Sequence, residues 1–293
     1  MKLDFWNNPI VVSAFRLKYR RGAPTVMTCL WLVALLGLGA ILHRYRAQLP
    51  IPWARAYLVA VVGLQFVVSA IYAWSTTYSS LRAEVTQRTL DFQRIAATSP
   101  RQILLGKLLG EPAGSYLLAI ATVPLAVVCS ALGGASLPVI FWLYLNLITT
   151  GLMCGSLGLV QPLEVDASKP ASSGSTLGNA VALGIMLLMF MPAVVANAAN
   201  LAGNPVTGLL FGCFTPVLSI HGVAIGQPWE HQLTLWGAGL PFLLIAPVAQ
   251  LALAAVCFES TARKMINPLN PSMGKPQAYA VLVVVDVVAA GLL

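Results

Sequence analysis

Charged residues are scarce in this chain. Only 9% of its 293 residues are Asp, Glu, Lys or Arg, whereas 58% are hydrophobic. A soluble globular domain carries about 25% charged residues. A chain with so little charge cannot cover its own surface in water, so lipid must cover it instead. The composition therefore predicts an integral membrane protein and argues against an ordinary soluble enzyme.

Residues that carry chemistry are also few. There are three histidines and five cysteines, without a CxxC pair or a metal-ligand spacing. The HExxH, GxSxG and GxxxxGK[ST] patterns are absent, so we predict no metal, no cofactor and no ATP hydrolysis in this chain. Glu164 and Asp166 fit a solvated loop. Asp286, inside an apolar tail, is a functional candidate, but interfacial placement or neutralisation explains it equally well.

Long apolar runs dominate what remains. A helix needs about 20 apolar residues to cross the hydrocarbon core, and irregular backbone is not tolerated against lipid. Asn179, Asn197 and Asn200 are expected to bond between helices. The predicted membrane helices are residues 24–42, 56–74, 113–132, 137–160, 177–200 and 233–258, with a Gly/Pro-broken run at 206–224 and a last apolar run at 278–293.

Basic residues set the predicted orientation. The net charge is +8, and Lys and Arg concentrate in residues 16–21, 82–107 and 263–275, which we place together in the cytoplasm with the N-terminus. Arg44, Arg46 and Arg55 run against this bias. A full crossing by 206–224 would leave residues 263–275 outside, so we predict a re-entrant hairpin there. The alternative is an ordinary kinked span.

Three regions follow from this pattern. Residues 1–23 are expected to form an interfacial helix, the alternative being an unstructured basic tail. Residues 24–265 form the transmembrane domain with a cytoplasmic loop at 81–110, and 266–293 form a linker and a C-terminal hydrophobic helix. In the loop we predict a helix over 84–97. Ser99 then caps a second helix over 101–109, with Pro100 in its first turn and Gln102 three residues after the cap.

The loop also resembles a known family. Thr89-Leu90-Asp91-Phe92, followed by Ser99-Pro100-Arg101-Gln102-Ile103-Leu104-Leu105-Gly106-Lys107, resembles the permease subunits of type-2 ABC exporters. Those proteins share a Thr-Leu-acidic segment, a Ser-Pro-Arg-type turn and an Ile-x-Leu-Gly-Lys stretch at this spacing. Departures are Gln87-Arg88 in place of Lys-Gly or Arg-Gly, Ala97 in place of a common Pro, and the extra run at 278–293.

The resemblance implies a fold and a function. The fold is an all-α six-span bundle with a re-entrant hairpin, forming a homodimer or pairing with a second permease subunit in a bacterial inner membrane. A separate cytoplasmic ATPase subunit would hold ATP and Mg²⁺, and no nucleic acid is expected as partner. The coupling residues would be Glu84, Arg88, Leu90, Asp91 and Arg94, and the loop-shaping residues Ser99, Pro100, Gly106 and Lys107.

Other functions stay open at this point. A non-transporting membrane scaffold or assembly factor would also use a cytoplasmic helix. A membrane-embedded enzyme would need convergent polar groups within the spans, and the sequence offers few. The apolar spans without a charged path slightly favour a lipid-like or amphiphilic cargo.

Overall fold

The structure is a computed structural model that describes residues 23–89, 99–163, 217–229, 231–235 and 238–267, with a few single positions outside these ranges. The predicted interfacial helix, the apolar run 177–200 and most of the runs 206–224 and 278–293 lie outside the described residues. The elements in chain order are α1 (Ala23–Arg44), α2 (Trp53–Thr86), α3 (Pro100–Gly110), α4 (Ala113–Ala131), α5 (Leu137–Val160), α6 (Val217–Ile225), β1 (Gln232–Leu235), β2 (Ala238–Pro241) and α7 (Phe242–Ile266).

Five of the described helices, α1, α2, α4, α5 and α7, are long and apolar enough to cross a membrane. Their most apolar segments have mean hydropathies between 1.7 and 2.3. Each holds its backbone hydrogen bonds within one segment, as a lipid environment requires. The chain is therefore a mostly helical integral membrane protein, and the four predicted spans before residue 160 are confirmed as helices.

The last described membrane helix begins later than predicted. Residues expected at the start of a span over 233–258 form an antiparallel hairpin instead, with Gln232 opposite Pro241 and Leu235 opposite Ala238. Pro241 disfavours helical backbone at the residue before it, so α7 begins only at Phe242. This hairpin departs from the all-α expectation.

The membrane helices share two ends. At one end, α2 finishes, α3 lies and α7 finishes; we call this the loop end. At the other, Arg55 near the start of α2 lines a cavity of about 280 Å³ with residues 133–136, Val223 and Gly226. We call this the hairpin end, because β1 and β2 precede α7 there. The chain thus runs toward the hairpin end in α1 and α4 and back in α2, α5 and α7.

Helix α5 is the centre of the bundle, packed between α2 and α7. Glycines permit the close approach to α2: a Cβ on Gly158 would lie 2.6 Å from the carbonyl oxygen of Trp74. Thr77 Oγ donates to the carbonyl oxygen of Gly155 at 3.0 Å across the same contact. Small residues at helix crossings are the usual way for membrane helices to gain packing, since lipid supplies no hydrophobic drive between them.

A buried polar cluster joins α5 to α7. Gln250 Nε2 donates to Asn146 Oδ1 at 2.8 Å, and Thr149 Oγ1 donates to Gln250 Oε1 at 2.5 Å. Both amide side chains are fully buried. Sequence reasoning assigned this role to Asn179, Asn197 and Asn200, which lie outside the described residues. It missed Asn146 and Gln250, although a polar residue in an apolar run is the signal to look for.

Candidate functional site

Helix α2 is longer than a membrane crossing requires. Its 34 residues give a length of about 51 Å, against a hydrocarbon core of about 30 Å. The predicted start of a separate helix at Glu84 is therefore wrong, because residues 84–86 are the last turn of α2. The helix stops at a turn in which Arg88 has a φ of 58°. This left-handed conformation cannot continue an α-helix.

Helix α3 begins with the predicted cap. The backbone N–H of Gln102 donates to Ser99 Oγ at 3.3 Å, and the backbone N–H of Ser99 donates to Gln102 Oε1 at 3.3 Å. Pro100 occupies the first helical position. This reciprocal arrangement satisfies two of the backbone donors that a helix start leaves open. The prediction of a helix over 101–109 is confirmed, with one residue added at each end.

A buried ion pair fastens α3 to α2. Lys107 Nζ lies 2.8 Å from Glu84 Oε1, and only 5% of the lysine side chain is exposed. Lys107 Nζ also donates to Ser80 Oγ at 2.7 Å, and Ser80 Oγ donates to Glu111 Oε1 at 3.0 Å. A charge withdrawn this far from water is tolerated only when it is paired and hydrogen-bonded. Lys107 therefore fixes α3 against the projecting end of α2.

An apolar cluster lies at the same end of the bundle as this ion pair and adds two further helices. It draws residues from α2, α3, the end of α5 and the end of α7: Leu81, Ile103, Leu104, Leu108, Leu159, Ala262 and Met265. On its solvent side, Arg101 Nη2 lies 2.9 Å from Glu259 Oε2, which links α3 to α7 a second time. Four helices thus converge on one buried patch at the base of the loop, which we call the loop base.

The predicted site residues have different surroundings in the structure. Glu84, expected to contact a partner, turns inward to Lys107, with 23% of its side chain exposed and its Oε2 atom buried without a hydrogen-bond partner. Arg88 is exposed, whereas Gly106 is buried against the bundle. Leu90, Asp91 and Arg94 lie outside the described residues. Ser99 and Pro100 start α3, as above.

Sequence reasoning missed three residues of the loop base. Ser80 and Glu111 complete the hydrogen-bond chain through Lys107, and Glu259 pairs with Arg101. One signal was available, because Ser80 and Glu84 are four residues apart, as are Lys107 and Glu111, so each pair shares a helix face. Nothing in the sequence places those two faces against each other.

The described residues contain no group of three or more His, Cys, Asp or Glu side chains able to hold a metal ion. The loop base joins α2, α3, α5 and α7 through ion pairs and an apolar cluster.

Comparison with known proteins finds no match: no family model, no curated protein and no solved structure is similar to this chain.

Proposed function

We propose that this chain is the membrane-spanning permease subunit of an ATP-driven exporter of the ABC class. The loop sequence supports this through its resemblance to type-2 permeases. The structural observation that carries the proposal is the buried Lys107–Glu84 pair, which fastens both sides of the loop to each other. ATP and Mg²⁺ would be bound by a separate cytoplasmic ATPase subunit, since this sequence has no phosphate-binding loop.

The loop base can transmit force from such a partner. Residues 87–98 connect the end of α2 to Ser99 at the start of α3, so a protein pressing on this segment would act on α2 and α3 together. The apolar cluster passes that load to the ends of α5 and α7. Packed interiors of this kind move as units rather than deform gradually. Arg88 and Arg101 are exposed beside the segment, and Leu90, Asp91 and Arg94 are the proposed contacts within it.

The six-span plan is also part of the proposal. Leu163 packs at the loop end and Gly226 lies at the hairpin end, so the six-span plan needs one net crossing between them. One crossing by residues 177–200 accounts for this if 206–224 enters and leaves at the hairpin end. Helix α6, with nine residues, is about 14 Å long and too short to cross alone.

Charge supports a cytoplasmic loop end with the N-terminus on the same side, in a bacterial inner membrane. Cytoplasmic flanks carry the excess of Lys and Arg. The described basic residues at the loop end include Arg82, Arg88, Arg101, Lys107, Arg263 and Lys264, against Arg44, Arg46 and Arg55 at the hairpin end.

A dimer completes the proposed transporter, and α1 is available for it. Only 6% of its most apolar segment is buried, and Val26, Leu30, Val33 and Ile41 are 56–66% exposed. They follow helical spacing and form one face that lipid or a second permease copy can cover. The polar residues buried between α5 and α7 are neutral amides and hydroxyls, which fits a lipid-like or amphiphilic cargo better than an ion.

Purification of the chain with the ATPase encoded by a neighbouring reading frame tests this proposal. We expect a stable complex whose ATPase activity depends on the permease, and loss of the complex in a Leu90→Asp/Asp91→Lys double variant. Arg46→Ala, at the opposite end, is the matched control and should leave the complex intact. A chain that binds no ATPase, with none encoded nearby, would instead favour the scaffold function.

A further inference from the structure

Two histidines meet at the hairpin end, far from the loop base. Nδ1 of His221, on α6, lies 2.7 Å from Nε2 of His231, which directly precedes β1. The ring centroids are 4.9 Å apart and the ring planes are inclined by 36°. His231 is buried, at 8% exposed, while His221 is half-buried. The pair therefore joins two separate elements through ring nitrogens that face each other.

This geometry is close to that of two ligands on one metal ion. Neutral imidazole nitrogens are the commonest protein ligands of Zn²⁺, and imidazole also suits Cu²⁺ and Ni²⁺. Zn–N bonds of about 2.0–2.1 Å in a tetrahedral site place two ligand nitrogens about 3.3 Å apart. The rings need to separate by only about 0.6 Å to admit the ion.

The two rings stand on short elements. Helix α6 has nine residues, and His231 stands in a short connection before a two-stranded hairpin. His231 is fixed on its other side, because its carbonyl oxygen accepts from the backbone N–H of Phe242 at 3.1 Å, at the start of α7. His221 is half-exposed, so the pair reaches solvent on that side.

We propose that His221 and His231 form a binding site for a divalent late transition metal ion, with Zn²⁺ as the reference ion. Without metal, the N–H of one ring donates a hydrogen bond to the other ring. With metal, the donor ring holds its proton on its outer nitrogen, so both inner nitrogens offer lone pairs and two neutral rings release no proton. The ion would tie α6 to the hairpin that leads into α7. The proposal does not depend on the proposed function.

The test uses the full chain in detergent, carrying no polyhistidine tag. Titration with Zn²⁺ by calorimetry should give about one bound ion per chain, since the two imidazole nitrogens converge on one position. His221→Gln and His231→Gln should each weaken binding at least about tenfold, because one imidazole alone is a poor site. His43→Gln is the matched control: His43 contacts Trp53 at the same end and should not alter binding.

A second measurement uses the unaltered chain, so it does not require any variant to fold. Cu²⁺ added to the unaltered chain should give an electron paramagnetic resonance spectrum with two coordinated imidazole nitrogens. Absence of saturable Zn²⁺ binding, Zn²⁺ binding unchanged in both histidine variants, or a Cu²⁺ spectrum without two imidazole nitrogens would each overturn the metal site. None of these results bears on association with an ATPase, which is measured at the other end of the molecule.

Discussion

Lys107 on α3 and Glu84 on α2 form an ion pair of 2.8 Å between residues that are 23 positions apart in the chain, and the lysine side chain is almost completely withdrawn from solvent. Buried pairs of this kind add little net stability over an apolar replacement, but removing one partner strands the other charge. The pair therefore specifies how α3 sits on α2. Its loss should disturb both the fold and any force that passes through the loop.

Lys107→Met is expected to destabilise the chain by about 3 kcal/mol, the lower part of the range for broken buried pairs, because Glu84 keeps partial access to water. The Glu84→Gln/Lys107→Met double variant should recover part of that loss. Unfolding in mixed micelles with increasing sodium dodecyl sulfate measures both. Arg101→Ala, which breaks the exposed pair with Glu259, should cost less than about 1 kcal/mol. Equal losses for Lys107→Met and Arg101→Ala would contradict the buried-pair interpretation.

Ser99→Ala should cost about 1 kcal/mol, because the Gln102 N–H loses its acceptor at the start of α3. Ser136 provides a matched control, since it occupies the N-cap position of α5 but makes no side-chain capping hydrogen bond. Ser136→Ala should be close to neutral. Hydrogen exchange of the first turn of α3 should accelerate in Ser99→Ala alone. Identical exchange in the two variants would show that the Ser99 cap does not hold the helix start.

Gly158→Ala should destabilise the α2–α5 contact by about 1–3 kcal/mol, the usual effect of adding a methyl group to a filled interface. The added Cβ meets the carbonyl of Trp74 and the hydroxyl of Thr77, and helix backbone cannot move aside cheaply. Gly37→Ala on α1 is the control, because no atom lies within 4 Å of its Cβ position. That change should be neutral or stabilising by up to about 1 kcal/mol. A thermal melt of both variants in detergent separates the outcomes.

Gly226→Ala probes the hairpin end. Gly226 has a φ of 82°, where an L-residue costs about 1–2 kcal/mol, and its Cβ position falls against the guanidinium of Arg55. Gly133 has a φ of 81° but no neighbour within 4 Å. The loss of unfolding free energy in Gly133→Ala therefore measures the backbone cost alone. Gly226→Ala should lower the free energy of unfolding by more. Adding Arg55→Ala to Gly226→Ala should recover only the stability lost beyond that lost in Gly133→Ala. If it recovers no stability, the guanidinium does not occupy that position in the folded protein.

Local and compositional features were predictable from sequence. Hydropathy located α1, α4 and α5 to within a few residues, because the bilayer imposes both length and helical hydrogen bonding on any apolar run. The Ser99 cap was predictable for a similar reason: its partners lie within four residues. The end of α2 was not predictable, and a separate helix was wrongly expected to begin at Glu84. The apolar spacing continues past Thr86 and does not reveal that Arg88 adopts a left-handed conformation.

The sequence by itself determined that this chain is a membrane protein. It also determined which segments form several of the membrane helices and at which residue α3 begins. Only the tertiary structure decided that Lys107 meets Glu84, that Gln250 meets Asn146 and that His221 meets His231. Each of these contacts joins residues on different elements. Their pairing depends on the angle and depth at which helices pack, which glycines such as Gly158 set through close backbone approach, and no local pattern encodes that geometry.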